Sequence, residues 1–260
     1  MENSSVANLG GRPHLASPNF MIIHKLILQH LKHKDDADFY LLQARDAIRW
    51  IEKSGARLGE GVQALDLGCG HGVFGVELQK KGCEVGFADE DNYLYDELKE
   101  SPFQKIDLDN EDLGKLGQHD LVVCSNVLEH LAKPFEFLTN AHKMLKPGGH
   151  LYLSWTNWLS PWGGHDFSPW HYLGPKLGHR IWDKFHKRKR IHTPFETLYP
   201  TYIGETLAHI RKDPNLRVRR AAPRYYNEFG FFLWLPIVRE FITWNCALLI
   251  ERLPEKSGKD

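Results

Sequence analysis

The residues Ala64-Leu65-Asp66-Leu67-Gly68-Cys69-Gly70-His71-Gly72 combine a short apolar run, one carboxylate and glycine at alternate positions. Such a run reads as a buried strand ending in a glycine turn, and Val73, Phe74, Val76 and Leu78 then follow a helical pattern. A strand that passes through glycines into a helix lets a ligand approach bare backbone at a helix N-terminus. Dinucleotides and S-adenosylmethionine both use such a turn. Asp66 favours the second, because a carboxylate there repels a pyrophosphate but attracts an ammonium and a sulfonium. Gly70-His71-Gly72-Val73-Phe74-Gly75 also spells G-x-G-x-x-G, which keeps a nicotinamide-dependent oxidoreductase open as an alternative.

Further carboxylates fall where strands should end. Val85-Gly86-Phe87-Ala88 reads as a second strand closing on Asp89, about twenty positions past the glycines, where an acid can accept both ribose hydroxyls. Capping of the next segment by Asp89, Glu90 or Asp91 is the competing use. Phe103 to Ile106 is a short third strand before Asp107-Leu108-Asp109, where a carboxylate could accept the adenine amino group or stay solvated. Asp120 to Asn126 is the apolar run of a central parallel strand. Ligands in open α/β sheets sit beyond the C-terminal strand ends, so Asn126, Glu129 and His130 fall near the reacting end. A helix opened by Pro134, a Lys146-Pro147-Gly148-Gly149 stop and a fifth strand over His150 to Ser154 follow.

Taken together, Ala64 to Ser154 resembles the class I S-adenosylmethionine-dependent methyltransferases. The resemblance rests on Leu65 to Gly72, Asp89, Asp107-Leu108, Asp120 to Val123 with Asn126 to Leu131, and Leu145 to Gly149. It implies a Rossmann-like, doubly wound α/β sheet of seven strands, mostly parallel with one antiparallel strand. It also implies S-adenosyl-L-methionine as cofactor, with Asp66, Gly68 and Gly70 along its methionine part, Asp89 at the ribose and Asp107-Leu108 at the adenine. The expected donor site is thus Asp66, Gly68, Cys69, Gly70, Asp89, Glu90, Asp107, Leu108 and Asn126.

The elements that must position this site divide the chain as follows. Residues 1–19 are polar and rich in Ser, Asn, Gly and Pro, which suggests a disordered tail. Residues 20–60 carry helical stripes, one over Phe20 to Lys32 and one from Asp35-Asp36 to Gly55. Residues 61–154 form the donor-binding core, 155–200 an acceptor-side insertion, and 201–260 a C-terminal helix and strand hairpin within the same single domain. Leu216 to Pro223 and Trp244 to Arg252 read as the hairpin strands, and Phe229 to Val238 as a core helix in preference to a membrane-touching lip or a dimer surface.

The insertion should choose the acceptor. Trp155, Trp158, Trp162 and Trp170, half of the eight tryptophans, stand among glycines and prolines that argue for a shaped loop. Aromatic walls with a few polar groups suit a small-molecule pocket. The segment resembles a subgroup of bacterial methyltransferases that carry Gly-Gly-His and His-Tyr-Leu-Gly at this place, here Gly163-Gly164-His165 and His171-Tyr172-Leu173-Gly174. No acceptor follows from that likeness. A hydroxyl acceptor needs a base, and histidine is the natural one, so His165, His171 and His130 are the candidates in that order. His165, Asp166 and His171 could also hold a metal, but their spacing lacks a regular scaffold, so no metal is expected.

Composition narrows the partners. Lys+Arg and Asp+Glu each number 33, so no global field draws the protein to nucleic acid. The basic run Arg180 to Arg190, interleaved with Trp182 and Phe185, allows contact with a lipid-linked or phosphate-bearing acceptor at a membrane surface. The four cysteines show no metal spacing and fit free thiols in a reducing cytoplasm. The expected activity is O-methylation of a small or lipid-linked hydroxylated acceptor, such as a glycan or secondary metabolite. The alternative is a non-catalytic S-adenosylmethionine-binding protein. The sequence says nothing about oligomeric state.

Overall fold

A computed structural model describes residues 37–187 and 189–254. The tail over 1–19 and the helix over Phe20 to Lys32 lie outside these residues. The strands are β1 (Gln63–Leu67), β2 (Glu84–Asp89), β3 (Phe103–Lys105), β4 (His119–Ser125), β5 (Leu145–Thr156), β6 (Leu216–Pro223) and β7 (Asn245–Arg252). They form one sheet in the order β3-β2-β1-β4-β5-β7-β6. Strand β7 runs antiparallel to β5 and β6, and the pairs among β1 to β5 are parallel.

Alternation along each strand builds two cores from one sheet. Leu65, Leu67, Val122, Cys124, Leu151, Leu153, Leu248 and Ile250 face one side. Ala64, Leu121, Val123, Tyr152, Ala247 and Leu249 face the other. Helices α1 (Ala37–Lys53) and α2 (Val73–Lys80) cover the second face through Ile48, Ile51, Val76 and Leu78. Helices α3 (Pro134–Asn140) and α5 (Ile203–Lys212) cover the first through Phe137, Leu138, Ile203, Leu207 and Ile210. Strands covered on both faces need continuous apolar runs, which is what β1, β4 and β7 carry.

The insertion after β5 holds helix α4 (Pro175–Phe185) and a small core of its own, Trp158, Phe167, Trp182 and Leu198. Trp155 is fully buried under the sheet, whereas Trp162 is 46% exposed and meets Trp244 edge-on. The tryptophans therefore mostly close cores rather than wall a pocket.

The core helix expected over Phe229 to Val238 is not what forms. Asn227–Trp234 is a run of 3-10 turns, followed by the short helix α6 (Val238–Ile242). Side chains three apart eclipse in such turns, so a single row faces inward, and Leu233 is the buried member. Trp234 is 82% and Ile237 76% exposed. Among the described residues no helix is long and apolar enough to cross a membrane.

Candidate active site

The glycine turn lies against the ends of β2 and β4, and the contacts explain its residue types. Gly68 N–H and Cys69 N–H both donate to the Ala88 carbonyl, at 2.8 and 3.2 Å. Gly70 N–H donates to Asp89 Oδ2 at 2.8 Å, and Glu90 N–H to Asp89 Oδ1 at 2.7 Å. Asp89 thus clamps the turn while its remaining lone pairs stay available to a ligand's hydroxyls. Gly68 has φ +65°, and a Cβ on it would lie 2.3 Å from Val127 Cγ2. That close approach brings the turn beside the residues leaving β4, at the β1/β4 switch in strand order where α/β sheets place ligands.

Asp66 lies beneath the turn, where its Oδ2 accepts from Gly75 N–H at 2.7 Å, so it satisfies a donor in the first turn of α2. Burial pushes its pKa up to about 8, against the Gly75 hydrogen bond and with the Asp89 charge adding to the rise. The structure revises the electrostatic reading of the sequence. The carboxyl is mainly protonated at neutral pH, and a cation beside it is needed to restore its charge. Cys69 is buried with its thiol pKa raised by that burial, which makes it inert packing.

Farther out, the expected donor residues are more open. Glu90 is exposed and accepts from the Tyr93 hydroxyl at 3.4 Å. Asp107 is exposed, and hydrogen bonds from Asn110 Nδ2 and Asp109 N–H hold its carboxyl below the usual range. Leu108 is half-buried against the core. The aromatic side chains here are those of His71 and Tyr95, stacked with centroids 4.9 Å apart.

Asn126 closes β4 in a left-handed conformation, φ +57°, with its N–H donating to Ser154 O at 2.7 Å. Its Oδ1 accepts from Arg224 Nη1 at 3.0 Å and Asn245 Nδ2 at 2.9 Å, and its Nδ2 donates to Gln43 Oε1 at 3.4 Å. Arg224, which the sequence reading did not single out, is only 2% exposed. It lies over the rings of Phe74 and Tyr225, and its Nε and Nη2 find no partner among the described residues. Its signal in the sequence was a single arginine at the end of a late strand.

The three candidate bases separate. His171 is fully buried, with its Nε2 2.9 Å from Ser160 O and its ring against Trp158, Phe167 and Tyr172. It packs the insertion, where Gly164 leaves room for its ring. Asp166 likewise turns away, its carboxylate accepting from Ile191 N–H at 2.8 Å and His192 N–H at 3.3 Å. Among the described residues, His165, Asp166 and His171 do not bring their ligand atoms together as a group.

Instead His165 meets His130 and His192, with ring centroids 5.4 and 4.8 Å away, and His130 and His192 are 5.2 Å apart. Glu129 joins them at the end of β4, only 1% exposed. Burial, followed by the neighbouring His130 and His192, lowers the His165 pKa to about 3. The imidazole is neutral at pH 7 but a weak base on its own. His192 carried no motif in the sequence, and no spacing rule joins it to Glu129.

Residues 40–217 match a family model described as a methyltransferase domain. Uncharacterized methyltransferases of Mycobacterium leprae and Mycolicibacterium gilvum are 30% identical over 132 residues and 33% over 139 residues. These alignments cover 50% and 52% of this chain and 48% and 52% of the relatives, so the chain spans about half the length of the curated relatives it matches. Among solved structures, an S-adenosylmethionine-dependent methyltransferase from Mesorhizobium loti superposes with TM-score 0.55 at 15% identity, covering 80% of this chain and 98% of that one. Magnesium protoporphyrin IX methyltransferase from Synechocystis, with bound S-adenosylhomocysteine, gives TM-score 0.51 at 13% identity over 90% of this chain and 94% of that one. The chain belongs to the methyltransferase-domain family, and its fold is that of the class I S-adenosylmethionine-dependent methyltransferases.

Proposed function

We propose that the chain transfers the methyl group of S-adenosylmethionine to an oxygen of a small or lipid-linked hydroxylated acceptor, a glycan or a secondary metabolite. The observation that carries the choice of oxygen is the group Glu129, His130, His165 and His192 at the C-terminal ends of β4 and β5. An alcohol must shed a proton as it attacks the sulfonium methyl, and these residues offer carboxylate and imidazole lone pairs where the sheet presents a donor. The chain's remaining contribution is to hold the acceptor in line and exclude water. Arg224, with guanidinium N–H groups unpartnered among the described residues, favours an acceptor that also carries a carboxylate or phosphate. Exposed Phe185, among the basic residues that end α4, supports a lipid-linked one at a membrane surface.

The test uses purified protein and methyl-labelled S-adenosylmethionine with fractionated cell extracts, the product being located by mass spectrometry. The expected result is a methyl ether, lost when Glu129→Gln replaces the wild type. Label on nitrogen or carbon, or no transfer into any fraction, overturns the reading.

A further inference from the structure

The four residues that end β4 and close the insertion carry more free lone pairs than a base requires. Among the described residues, Glu129 Oε1 accepts from Thr156 N–H at 2.9 Å, while Oε2 is buried without a hydrogen-bond partner. His165 Nδ1 and His192 Nδ1 are buried without partners as well. His130 Nδ1 is 2.6 Å from the Thr197 carbonyl. A carbonyl only accepts, so Nδ1 carries the hydrogen and Nε2 holds a lone pair. One ligand atom each from Glu129, His130 and His165 lies within 4.8 Å of the others, and the His192 ring stacks on His130.

Buried polar atoms without partners are destabilising, and native structures rarely keep several together. Among the described residues no hydrogen bond joins these atoms to one another, whichever nitrogen of His165 and His192 carries the hydrogen. A single cation supplies what all of them lack. The arrangement also has the supports that metal ligands take from their surroundings. Thr197 fixes the tautomer of His130, and the Thr156 amide orients Glu129. His165 is held at φ +48°, a conformation that a non-glycine residue adopts when its surroundings impose it.

We propose that Glu129, His130 and His165, with the His192 ring beside them, form a binding site for a divalent transition-metal cation. Imidazole with one carboxylate suits Zn2+ and its neighbours rather than Mg2+ or Ca2+, which prefer all-oxygen shells. Three or four protein ligands leave a position for an acceptor oxygen or water. The cation would add to the oxygen-methylation reading by lowering the pKa of a bound hydroxyl. The site itself does not depend on that reading.

The experiment strips the full chain with a chelator and titrates it with Zn2+ and Co2+ by calorimetry, with Mg2+ as the comparison. Visible absorption of the Co2+ form reports histidine ligation. The expected result is about one cation per chain, bound at micromolar concentration or tighter, with Mg2+ at least a hundredfold weaker. Affinity should fall at least tenfold in His165→Ala and in Glu129→Gln, and stay unchanged in His209→Ala. Folding of each variant is checked by circular dichroism. Should His165→Ala not fold, the Co2+ spectrum of the wild type decides alone. No Zn2+ or Co2+ binding by the folded wild type, or binding unaffected by Glu129→Gln and His165→Ala, overturns the proposal. Because the readout is metal binding, oxygen methylation by a protein that binds no cation would sink this site and leave the reaction standing. Cation binding with methyl found on nitrogen would do the reverse.

Discussion

Replacing Gly68 by alanine tests whether the glycine turn and the exit of β4 are interlocked. The added Cβ meets Val127 Cγ2 at 2.3 Å, with Val127 Cβ and Cγ1 at 3.4 and 3.5 Å. The first contact is far inside van der Waals distance, and the branched valine cannot swing aside as a long side chain would. Forcing that overlap is destabilising by about 1–3 kcal/mol. The φ of +65° adds about 1–2 kcal/mol for a residue with a Cβ. The lower entropy of the unfolded alanine chain returns about 0.4–1 kcal/mol. Gly68→Ala should therefore lose about 2–4 kcal/mol by denaturant unfolding, and weaken donor binding because Val127 carries Asn126 with it. Val127→Ala in the same chain removes the overlap but not the φ penalty. The double variant should recover at least about 1 kcal/mol over the sum of the singles. A Gly68→Ala protein within about 0.5 kcal/mol of wild type, or a cycle with no coupling, would refute the interlock.

Other perturbations probe separate parts of the site. Asp46 is 3% exposed, and burial raises its pKa to about 6 from 3.8, opposed by Arg49 and Arg224. Its contribution to stability is full below the unfolded pKa and is lost as pH rises through about 6, so Asp46→Asn should gain on wild type by up to about 3 kcal/mol between pH 4 and 7. Denaturation at several pH values checks this, and a pH-independent difference would count against it. Asp66, with its pKa near 8, should release a proton when a cationic donor binds at pH 7. Calorimetry in buffers of different ionisation enthalpy measures that release, and Asp66→Asn should abolish it. Asp89→Ala removes the acceptor of two backbone hydrogen bonds at 2.8 and 2.7 Å, and donor affinity should fall at least tenfold while Asp89→Asn loses less. His171→Ala should lower stability by about 2–4 kcal/mol, as deletion of a buried ring does, without changing the ratio of kcat to KM in the surviving folded protein.

The sheet was largely legible because its strands are marked by runs that leave no other reading. Leu216 to Pro223 coincides with β6, and Asn245 to Ile250 is the buried run of β7. Strand β5 begins earlier than expected, at Leu145, because the Pro147-Gly148-Gly149 turn is absorbed as a bulge in its pairing with β4. The glycine turn was legible for a physical reason: Gly68, Gly72 and Gly75 each sit where a Cβ would strike Val127, Leu94 or Phe87. The acceptor side was not. Its contacts join His130 to residues 62 positions further on, at His192, and Asn126 to Arg224. Local periodicity carries no information about such pairings. His171 lies buried in the insertion, and its sequence context does not show this, because a buried histidine and a catalytic one share the same surrounding residue types.

The carboxylate of Asp166, joined to the amides of Ile191 and His192, has a consequence for how this fold could diversify. It ties off the chain between them as a closed excursion whose two ends are fixed beside His165. The cost of closing such a loop grows only slowly with its length. The stretch around exposed Lys187 could therefore lengthen or shorten with little disturbance to the histidines at its base, while Phe167, His171 and Trp182 hold the small core. A lineage could retarget this scaffold to a new acceptor by rewriting that stretch alone, and circular dichroism of a chain with a few residues deleted around exposed Lys187 would show whether the knot holds.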